Sequence, residues 1–392
     1  MSRLHALIKE LAPKGVEFKS LGDVGTFIRG SGLQKADLTD EGVPAIHYGQ
    51  IHTHYGTWAD STKSFVSPTV AVRLRRAKPG DLVIATTSED DAAVAKATAW
   101  IGTGEVAVSG DAYIYRHILA PRYVAYFFQS EQFQSQKQRH ITGTKVRRIS
   151  GDAMAKIRIP VPPREVQEEI VRVLDVFQSV EAELEAELDS RWLQYAHYRD
   201  VLLTFPESGG IRWATMPEIA INRDSQRKPV AKTVREAGQF PYYGASGVVD
   251  YVSDYIFDGD YLLISEDGAN LLARSTPIAF SISGKTWVNN HAHVLEFRTY
   301  AERRFVEMYL NSIDLAPYVT GGAQPKLNQA NLNKIPIPVP QLLEQERIVG
   351  ILDKFDALVN DLSIGLPAEL NARRKQYEYY RDRLLTFEEV KP

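Results

Sequence analysis

The chain has 392 residues, with 46 Lys and Arg against 49 Asp and Glu, which gives a formal net charge of −3. This balance argues against a broadly basic nucleic-acid-binding surface. The length predicts two or three domains, and 44% hydrophobic with 24% charged residues is typical of a globular protein. The absence of cysteine excludes disulfides, thiolate metal sites and cysteine nucleophiles. Because no run of about 18 apolar residues and no apolar signal core occur, we expect a cytoplasmic chain without a membrane span.

Short strands dominate two regions of the chain. The first residues, 1–15, predict an amphipathic helix that Pro13 and Gly15 end. The residues that follow, and again those after about 206, carry strand-like runs punctuated by Gly, Asp and Asn. The predicted strands are 81–87, 106–110 and 112–118 in the first region, and 261–265, 277–283 and 293–297 in the second. One helix is expected in each region, at 124–138 and at 302–313.

An internal repeat organises the sequence. Residues 157–177 match residues 335–355 without a gap at an offset of 178, and 12 of the 21 positions are identical. The phrases YRDVLLTF and YRDRLLTF follow these two matches at an offset of 182, so the second copy carries four extra residues. Upstream, HITGTKVRRIS at 140–150 aligns with YVTGGAQPKLN at 318–328. The chain therefore repeats one plan, a variable domain followed by a helical segment, which predicts an approximate twofold axis.

The helical segments carry a coiled-coil pattern. Neither proline nor glycine occurs from Glu165 to Phe205, and apolar residues follow a heptad repeat there. This predicts a helix roughly 60 Å long, whose apolar seam needs a partner. The second copy supplies the same pattern, and its four extra residues predict a kink or break near Gly365 and Pro367. The predicted seam residues are Ile170, Leu174, Phe177, Leu184, Leu188, Ile348, Leu352, Phe355 and Leu384.

These patterns together predict an α+β fold with an internal pseudo-twofold duplication. Two mixed or mostly β domains are separated by two long coiled-coil helices. We expect the first domain at 1–156, a first helical spacer at 157–206, the second domain at 207–334 and a second spacer at 335–392.

Catalytic signatures are scarce. Gly284-Lys285-Thr286 lacks the first glycine of a phosphate-binding loop. His47, His52 and His54 have no nearby carboxylate cluster, which favours a surface or nucleic-acid-contacting loop over a metal site.

Two acidic runs follow matched strands. Glu89-Asp90-Asp91 and Glu266-Asp267 have the residue types of a nuclease metal site, but the second run lacks a suitably spaced lysine and reads as a turn. The sequence therefore favours a binding protein over an enzyme.

Basic residues are unevenly distributed along the chain. Residues 1–156 carry 20 Lys and Arg against 15 Asp and Glu, whereas residues 157–205 carry 5 against 10. The excess is +5 in the first domain and −5 in the first helix, with −1 for 206–334 and −2 for 335–392. Basic residues cluster at Arg73, Arg75, Arg76 and Lys78, and at Lys145, Arg147 and Arg148. A solvated face explains either cluster alone, but the place of the second cluster before the long helix favours phosphate contacts.

The phrase IxIPVPPxxxQEEIVxxLDxF, the preceding TGTKVRRIS, the closing YRDxLLTF and their repetition resemble the specificity subunit of type I restriction-modification enzymes. The resemblance covers the full chain. It implies that each variable domain is a target recognition domain that reads one half of a bipartite site in double-stranded DNA. The two repeated helices then pack antiparallel, fix the distance between half-sites and dock two methylation subunits.

The resemblance also implies a division of chemistry. The chain itself is not catalytic and binds no cofactor or metal, whereas S-adenosylmethionine, ATP and magnesium belong to partner subunits of a nuclease and adenine methyltransferase complex. Whether restriction subunits join stays open. The N-terminal segment before Val16 is expected near the end of the second helix.

Candidate DNA contacts follow from the same resemblance. The basic element of the family falls on Lys145, Arg147 and Arg148, while the second copy reads Ala323-Gln324-Pro325-Lys326-Leu327-Asn328 with a single cation. Base discrimination requires polar and aromatic side chains that reach groove edges. The candidates are Tyr48 and Gln50 in the first domain, and Tyr242, Tyr243, Ser246, Asn270, Asn289, Asn290, Gln324, Lys326 and Asn328 in the second.

Two other functions remain open at this point. A coiled-coil scaffold with two ligand-binding domains and no DNA specificity would share the helical repeat. An autonomous nuclease would need metal-dependent cleavage that depends on Glu89 and Glu266.

Overall fold

The computed structural model describes residues 2–206, 210–322 and 324–390. The predicted start of the second domain at residue 207 and Ala323 of the second basic element lie outside these residues. The chain divides into two compact units, residues 1–185 with 370–392 and residues 186–369. The C-terminal helix therefore returns to the unit that contains the N-terminus.

The first unit contains two five-stranded sheets and two short two-stranded pairings. The first sheet has the strand order Gly25–Arg29, Ala112–His117, Leu82–Ala85, Ala97–Trp100, Trp58–Ala59. The second has the order Leu38–Thr39, Ser64–Val66, Val43–Ile46, Val106–Val108, Arg76–Ala77. The short pairs are Glu17–Ser20 with Arg158–Val161, and Thr87–Ser88 with Arg147–Arg148. Leu82–Ala85 and Ala97–Trp100 are buried throughout, which explains why they alternate with no exposed polar residues. The one polar side chain among them, Thr98, donates to the Gly56 carbonyl at 2.9 Å.

Helices cover the sheets of the first unit and lead out of it. They are Ser2–Leu11, Leu21–Val24, Tyr48–Thr53, Pro68–Ala71, Pro121–Gln129, Glu131–Gln138, Gly151–Met154 and Arg164–Leu203, with a 3-10 turn at Lys35–Asp37. The predicted single helix at 124–138 is two helices, because the Ser130 hydroxyl caps the second one by accepting the amide of Phe133.

The second unit repeats this plan with smaller sheets. One sheet has the order Ile221–Asn222, Ala292–Glu296, Tyr261–Ser265, Ala279–Ile282, and the other Gly247–Val252, Ala237–Gly244, Lys285–Val288, Phe257–Asp258. Arg212–Ala214 pairs with Ile337–Val339, as Glu17–Ser20 pairs with Arg158–Val161. The helices are Met216–Ile219, Asn270–Ala273, Tyr300–Ser312, Gln329–Leu332, Leu342–Asn360 and Leu366–Leu384, with 3-10 turns at Asp224–Gln226, Lys232–Val234 and Ala316–Tyr318. Leu366–Leu384 crosses from this unit into the first at residue 370.

The long helices match the heptad prediction. Arg164–Leu203 is one helix of 40 residues, and the second copy breaks between Asn360 and Leu366, so the predicted break at Gly365 is confirmed. A Cβ at Gly365 would lie 2.4 Å from the carbonyl oxygen of Ala357, which explains why glycine is needed there. None of the described helices combines the length and apolar character needed to cross a bilayer.

Equivalent aromatic contacts hold the two helices in each unit. In the first unit Phe177 stacks on Tyr380 at 5.4 Å between ring centroids and lies 6.5 Å from Tyr377. Glu181, one turn further along, accepts a hydrogen bond from Arg374 at 2.6 Å, so the helices run antiparallel here. In the second unit Phe355 stacks on Tyr198 at 5.4 Å.

The repeated polar residues join each domain to its helix. The Asp175 carboxylate accepts hydrogen bonds from Arg122 at 2.7 Å and Tyr126 at 2.6 Å. The Asp353 carboxylate accepts equivalent bonds from Tyr300 at 2.7 Å and Arg304 at 2.8 Å. At the offset of 178, Arg122 corresponds to Tyr300 and Tyr126 to Arg304, so arginine and tyrosine have exchanged places around the same carboxylate.

Seam residues also belong to the domain cores. Ile170 and Leu174 are fully buried in the hydrophobic core of the first domain, and Ile348 and Leu352 in that of the second. The buried Nε2 groups of Gln167 and Gln345 donate to the carbonyl groups of Pro162 and Pro340. Helix and domain are therefore continuous packing units. The N-terminal segment also lies against the end of the second helix, as expected, with the Val16 amide donating to the Glu388 carbonyl at 2.9 Å.

Candidate nucleic-acid interface

Each unit carries a tight loop, which we call the TG loop, residues 142–148 in the first unit and 320–326 in the second. One short helix, Gly151–Met154 or Gln329–Leu332, separates the loop from the Pro-rich strand that follows. In the first, Thr142 and Arg148 exchange two backbone hydrogen bonds of 2.9 and 2.8 Å. In the second, Thr320 and Lys326 exchange bonds of 2.9 and 2.7 Å. These pairs are 178 residues apart, so the faint sequence match at 140–150 corresponds to a shared structure.

A glycine in the left-handed region closes each TG loop. Gly143 has φ +93° and Gly321 has φ +86°. A Cβ on Gly143 would lie 2.2 Å from the Val146 carbonyl oxygen, and one on Gly321 would lie 2.4 Å from that of Gln324. Both the conformation and the close approach therefore require glycine.

The first TG loop presents unpaired cations. Arg147 is committed within the domain, because it pairs with Asp91 at 2.8 Å and donates to the Gly143 carbonyl at 2.6 Å. Lys145 and Arg148 are exposed, and none of the described carboxylates forms an ion pair with either. Arg148 lies in the short strand that pairs with Thr87. These two side chains are thus available to an anionic ligand.

The second TG loop lies over a buried ionic network. Glu266 accepts from Arg227 at 2.6 Å and pairs with Lys326 at 3.2 Å. Burial alone would raise the pKa of Glu266, but Arg227, His293 and Lys326 hold that pKa below its usual value. Its backbone carbonyl also accepts the Leu327 amide at 2.8 Å, so the network fixes the loop through both side chain and main chain.

His293 completes this network. Its Nδ1 lies 2.6 Å from the Asp224 carboxylate and its Nε2 lies 2.8 Å from the Leu327 carbonyl oxygen. The ring therefore lies between two acceptor oxygens, one from a carboxylate and one from the backbone. His293 therefore ties the strand Ala292–Glu296 to the residue that ends the TG loop.

Asp224, Glu266 and His293 have ligand atoms within 4.8 Å of one another, and they are the group with metal-ligand spacing among the described residues. The donor set does not fit a cation, because both His293 nitrogens face acceptors and the Arg227 guanidinium lies 3.3 Å from Asp224. The nuclease hypothesis for Glu266 thus loses its structural basis.

His47 and His52 are likewise structural. His47 Nδ1 accepts the Gly49 amide and His52 Nε2 lies 3.0 Å from the Thr87 carbonyl oxygen. Burial lowers the pKa of His47 and of His52 below the ordinary histidine value. The His47 ring caps the start of the helix Tyr48–Thr53, and the His52 ring holds this helix against the strand at Thr87.

The predicted base-reading residues of the first domain are mostly engaged. The Tyr48 amide donates to Ser109, and its half-buried ring packs on the core. Gln50 donates to Ser64 at 2.7 Å and accepts the His47 amide at 3.1 Å, so both ends of its side-chain amide are used. Since His52 of the same helix contacts Thr87, this helix and the TG loop meet at the strand Thr87–Ser88.

The other basic cluster has its own partners. Arg75 donates to the Arg29 carbonyl at 2.7 Å, and Arg76 lies 3.9 Å from Glu105. Arg73 and Lys78 are exposed. The described contacts do not bring this cluster to the TG loop.

The second domain brings some candidates together and excludes others. Tyr242 is 1% exposed, beneath the Arg235 guanidinium at 4.2 Å, so the prediction that it reaches a base disagrees with its burial. The side-chain oxygens of Asn270 and Asn289 accept hydrogen bonds from the backbone amides of Thr276 and His291 respectively. Asn328 caps the helix Gln329–Leu332. Alternation along the strand leaves Tyr243 half-buried.

Ser246, Asn290 and Gln324 are exposed, and the contacts of their neighbours bring them to one end of the domain. The Ala245 carbonyl accepts from Ser265 at 2.5 Å, and the Glu266 amide donates to the His291 carbonyl at 2.9 Å. The sequence did not single out Asp267 as a contact. Its carboxylate lies 2.8 Å from His291 Nδ1, and its backbone forms an isolated antiparallel β-bridge with that of Lys326. The acidic run Glu266-Asp267, which follows a strand matched in the first domain, was the available signal for this acidic end.

Comparison with known proteins identifies relatives of both halves. A model of the type I restriction modification DNA specificity domain matches residues 13–190 and 217–372. A Haemophilus influenzae protein, named as a candidate type I restriction enzyme specificity subunit, is 39% identical over 188 residues, 47% of this chain and 48% of that protein. An Escherichia coli type I restriction enzyme specificity subunit is 35% identical over 264 residues, 61% of this chain and 65% of that protein. The chain thus spans about half of the length of the first of these relatives and 65% of the length of the second.

Solved structures match the fold over nearly the whole chain. A type I restriction-modification system S subunit from M. genitalium gives a TM-score of 0.57 at 14% identity, covering 95% of this chain and 96% of that one. A chain from a study of complex assembly and conformational transition of the type I R-M system gives 0.60 at 17% identity, covering 95% and 98%. At these identities the likeness concerns the fold.

Proposed function

We propose, since this chain belongs to the type I restriction-modification DNA specificity family, that it is the non-catalytic subunit that reads a bipartite double-stranded DNA target. Each unit reads one half of the target, and methylation subunits assemble on the chain. S-adenosylmethionine, ATP and magnesium bind to the partner subunits.

The duplicated TG loop is the observation that carries this proposal. Two loops, 178 residues apart, share the same backbone bonds and the same closing glycine, yet present different side chains. Two readers of equal geometry and different chemistry are what a target with two unlike halves requires. Lys145 and Arg148 supply phosphate contacts in the first unit, whereas the second relies on Asn290, Gln324 and Lys326 for contacts in the groove.

The helices supply the remaining element. Arg164–Leu203 is uninterrupted for 40 residues, about 60 Å at 1.5 Å per residue. A continuous helix changes neither length nor phase easily, so it suits a spacer between half-sites. Exposed apolar side chains on this helix, Val176, Trp192 and Leu193, support its use as a docking surface.

The test is to map methylated adenines in cells that express the chain with its methylation subunits. We expect methylation at a two-part sequence with a fixed gap. The double variant Asn290→Ala, Gln324→Ala is expected to relax the bases of one half alone, while Asn371→Ala, an exposed asparagine of the helix Leu366–Leu384, leaves the pattern unchanged. Methylation without a split sequence, or one indifferent to these changes, would contradict the proposal.

A further inference from the structure

In the second unit, the sheet that contains Tyr261–Ser265 ends on the strand Ala279–Ile282, whose outer side pairs with no described strand. The counterpart of this strand in the first unit is paired on both sides. In the first unit, Trp58–Ala59 pairs in parallel with the outer side of Ala97–Trp100. The equivalent strand, Ala279–Ile282, is the outermost of its sheet, and no described strand pairs with its outer side. Exposed strand edges are normally blocked or paired, because their amides and carbonyls accept further strands.

A difference in connection length explains the uncovered edge. Between the strands Val43–Ile46 and Ser64–Val66 the first unit inserts residues 47–63, which supply the helix Tyr48–Thr53 and the fifth strand. Between Ala237–Gly244 and Gly247–Val252 the second unit has only Ala245 and Ser246. The described part of the second unit therefore has no segment at this point of the chain that could cover its own edge.

The first unit shows how the covering segment is held. The amides of Ala99 and Ile101 donate to the carbonyls of Thr57 and Ala59, each at 2.9 Å. The Thr57 hydroxyl accepts from Gln129 at 2.9 Å and Gln178 at 2.5 Å. Helix side chains thus recognise the segment as well as the strand edge.

The corresponding place in the second unit is a cavity of about 400 Å³. At the offset of 178, Gln129 corresponds to Glu307 and Gln178 to Asp356, and both line the cavity. Its apolar walls are Ile278 and Phe280 of the open strand and Trp192 of the long helix, which is 42% exposed.

We propose that this edge and cavity bind an extended segment of a methylation subunit, which adds a fifth strand parallel to Ala279–Ile282. The inference rests on the proposed function. Strand addition to an open edge is a recurring mode of peptide recognition. The occupant belongs to the docking partner because the cavity continues onto the two spacer helices through Trp192 and Asn360.

The cavity also defines the chemistry of the segment. In the first unit the helices present amide donors to a hydroxyl oxygen, whereas the cavity is lined by the carboxylates of Glu307 and Asp356. Both carboxylates accept hydrogen bonds from Arg304, and their two oxygens have lone pairs for further donors. The inserted side chain at the position of Thr57 therefore carries an N–H or O–H donor. Since the first unit fills its own edge, each chain offers one such site, and two bound methylation subunits differ at this point.

The open amides can be identified from the ladder. The Ser265 amide donates to the Ile278 carbonyl at 2.8 Å, so alternation turns the N–H groups of Ala279 and Ser281 outward. The Asn311 side chain binds the Ala279 amide and carbonyl at 3.1 and 2.8 Å. Ser281 is thus the central open position, and proline there removes an outward N–H without breaking the existing ladder.

The experiment measures amide hydrogen exchange in the full chain, alone and assembled with the methylation subunits. We expect exchange over residues 279–284 to slow at least about tenfold on assembly. Ser281→Pro is expected to assemble about tenfold more weakly than Ser281→Ala, which keeps the amide. Both variants lose the hydroxyl that donates to Glu307 at 2.5 Å, so the comparison between them isolates the amide, and we expect equal melting temperatures for the two.

The outcomes separate the two proposals. If the complex forms and methylates a split target while exchange over 279–284 is unchanged, the docking inference is wrong and the proposed function stands. Protection that instead rises with the concentration of the isolated chain would identify a second copy as the occupant and overturn the inference. If neither a complex nor a duplex preference is found, the proposed function fails. Should Ser281→Pro unfold, the wild-type exchange comparison decides.

Discussion

Removing the two unpaired cations of the first TG loop is expected to change the salt dependence of DNA binding. The double variant Lys145→Gln, Arg148→Gln takes away two exposed positive charges that no described carboxylate neutralises. Each lost phosphate contact reduces the slope of log K against log salt by about 0.9. The slope should therefore fall by about 1.8, so the ratio of affinities at 50 and 200 mM salt shrinks about 12-fold.

The assay is fluorescence anisotropy of the assembled complex on a cognate duplex and on an unrelated one. Phosphate contacts carry no sequence information, so both duplexes should weaken alike. Lys14→Gln, an exposed lysine of the N-terminal segment, is the matched charge control. Arg147→Gln should alter the slope less, since Arg147 already pairs with Asp91 at 2.8 Å.

An unchanged slope in the double variant would refute the assignment of this loop to the DNA backbone. A loss restricted to the cognate duplex would refute it as well, since the side chains would then be reading bases.

Three further predictions concern the TG loops and the buried charges beside them. Gly321→Ala should weaken methylation at least about tenfold, since its Cβ would meet the Gln324 carbonyl, while Gly322→Ala, with open space around it, should not. Glu266→Gln should free Lys326 and steepen the salt slope by about 0.9, with loss of discrimination between duplexes. Burial lowers the pKa of Lys137 in the folded protein to about 8 from its ordinary value of 10.5. Lys137 therefore contributes most to the free energy of unfolding above pH 10.5, where it is neutral in both states, and its contribution falls as the pH drops to 8. Measured by urea unfolding, the free energy of unfolding of the wild type should rise by about 3 kcal/mol relative to that of Lys137→Met between pH 8 and pH 10.5. If both proteins show the same pH dependence, the lowered pKa of Lys137 is contradicted.

The sequence predicts those helices and strands whose own residues carry a clear apolar pattern. The long helix was predictable because no proline or glycine interrupts residues 165–205, and it runs from Arg164 to Leu203. Tyr261–Ser265 begins and ends where the apolar run does, because the strand is buried on both faces. The hairpin Ala237–Val252 escaped prediction, since Gly238, Pro241 and Gly244 punctuate it like a loop.

The candidate site was less predictable, because hydrogen bonds between distant residues decide which polar groups remain free. Gln50 and Asn289 have suitable side chains for base recognition, but partners elsewhere in the domain already use them. Nothing in the local sequence distinguishes them from Asn290, which is exposed. The Glu266 and His293 network joins residues far apart in the sequence, 61 residues from Glu266 to Leu327 and 69 from Asp224 to His293, so only the fold reveals it.

The two halves of the chain also serve as an internal comparison. Their differences distinguish the joint between each domain and its helix, which keeps its geometry, from the loops, whose side chains or lengths differ. Around Asp175 and Asp353, arginine and tyrosine have exchanged positions while the carboxylate keeps both bonds, so the joint between domain and helix tolerates sequence change without changing its geometry. The TG loops keep their backbone bonds while their side chains differ in charge, and the connections at 47–63 and 245–246 differ in length. On the proposed function, the joint between domain and helix keeps the spacing of two half-sites constant while the loops change which bases are read. On the docking proposal, the short connection that leaves the edge at Ala279–Ile282 unpaired also changes what else can bind there.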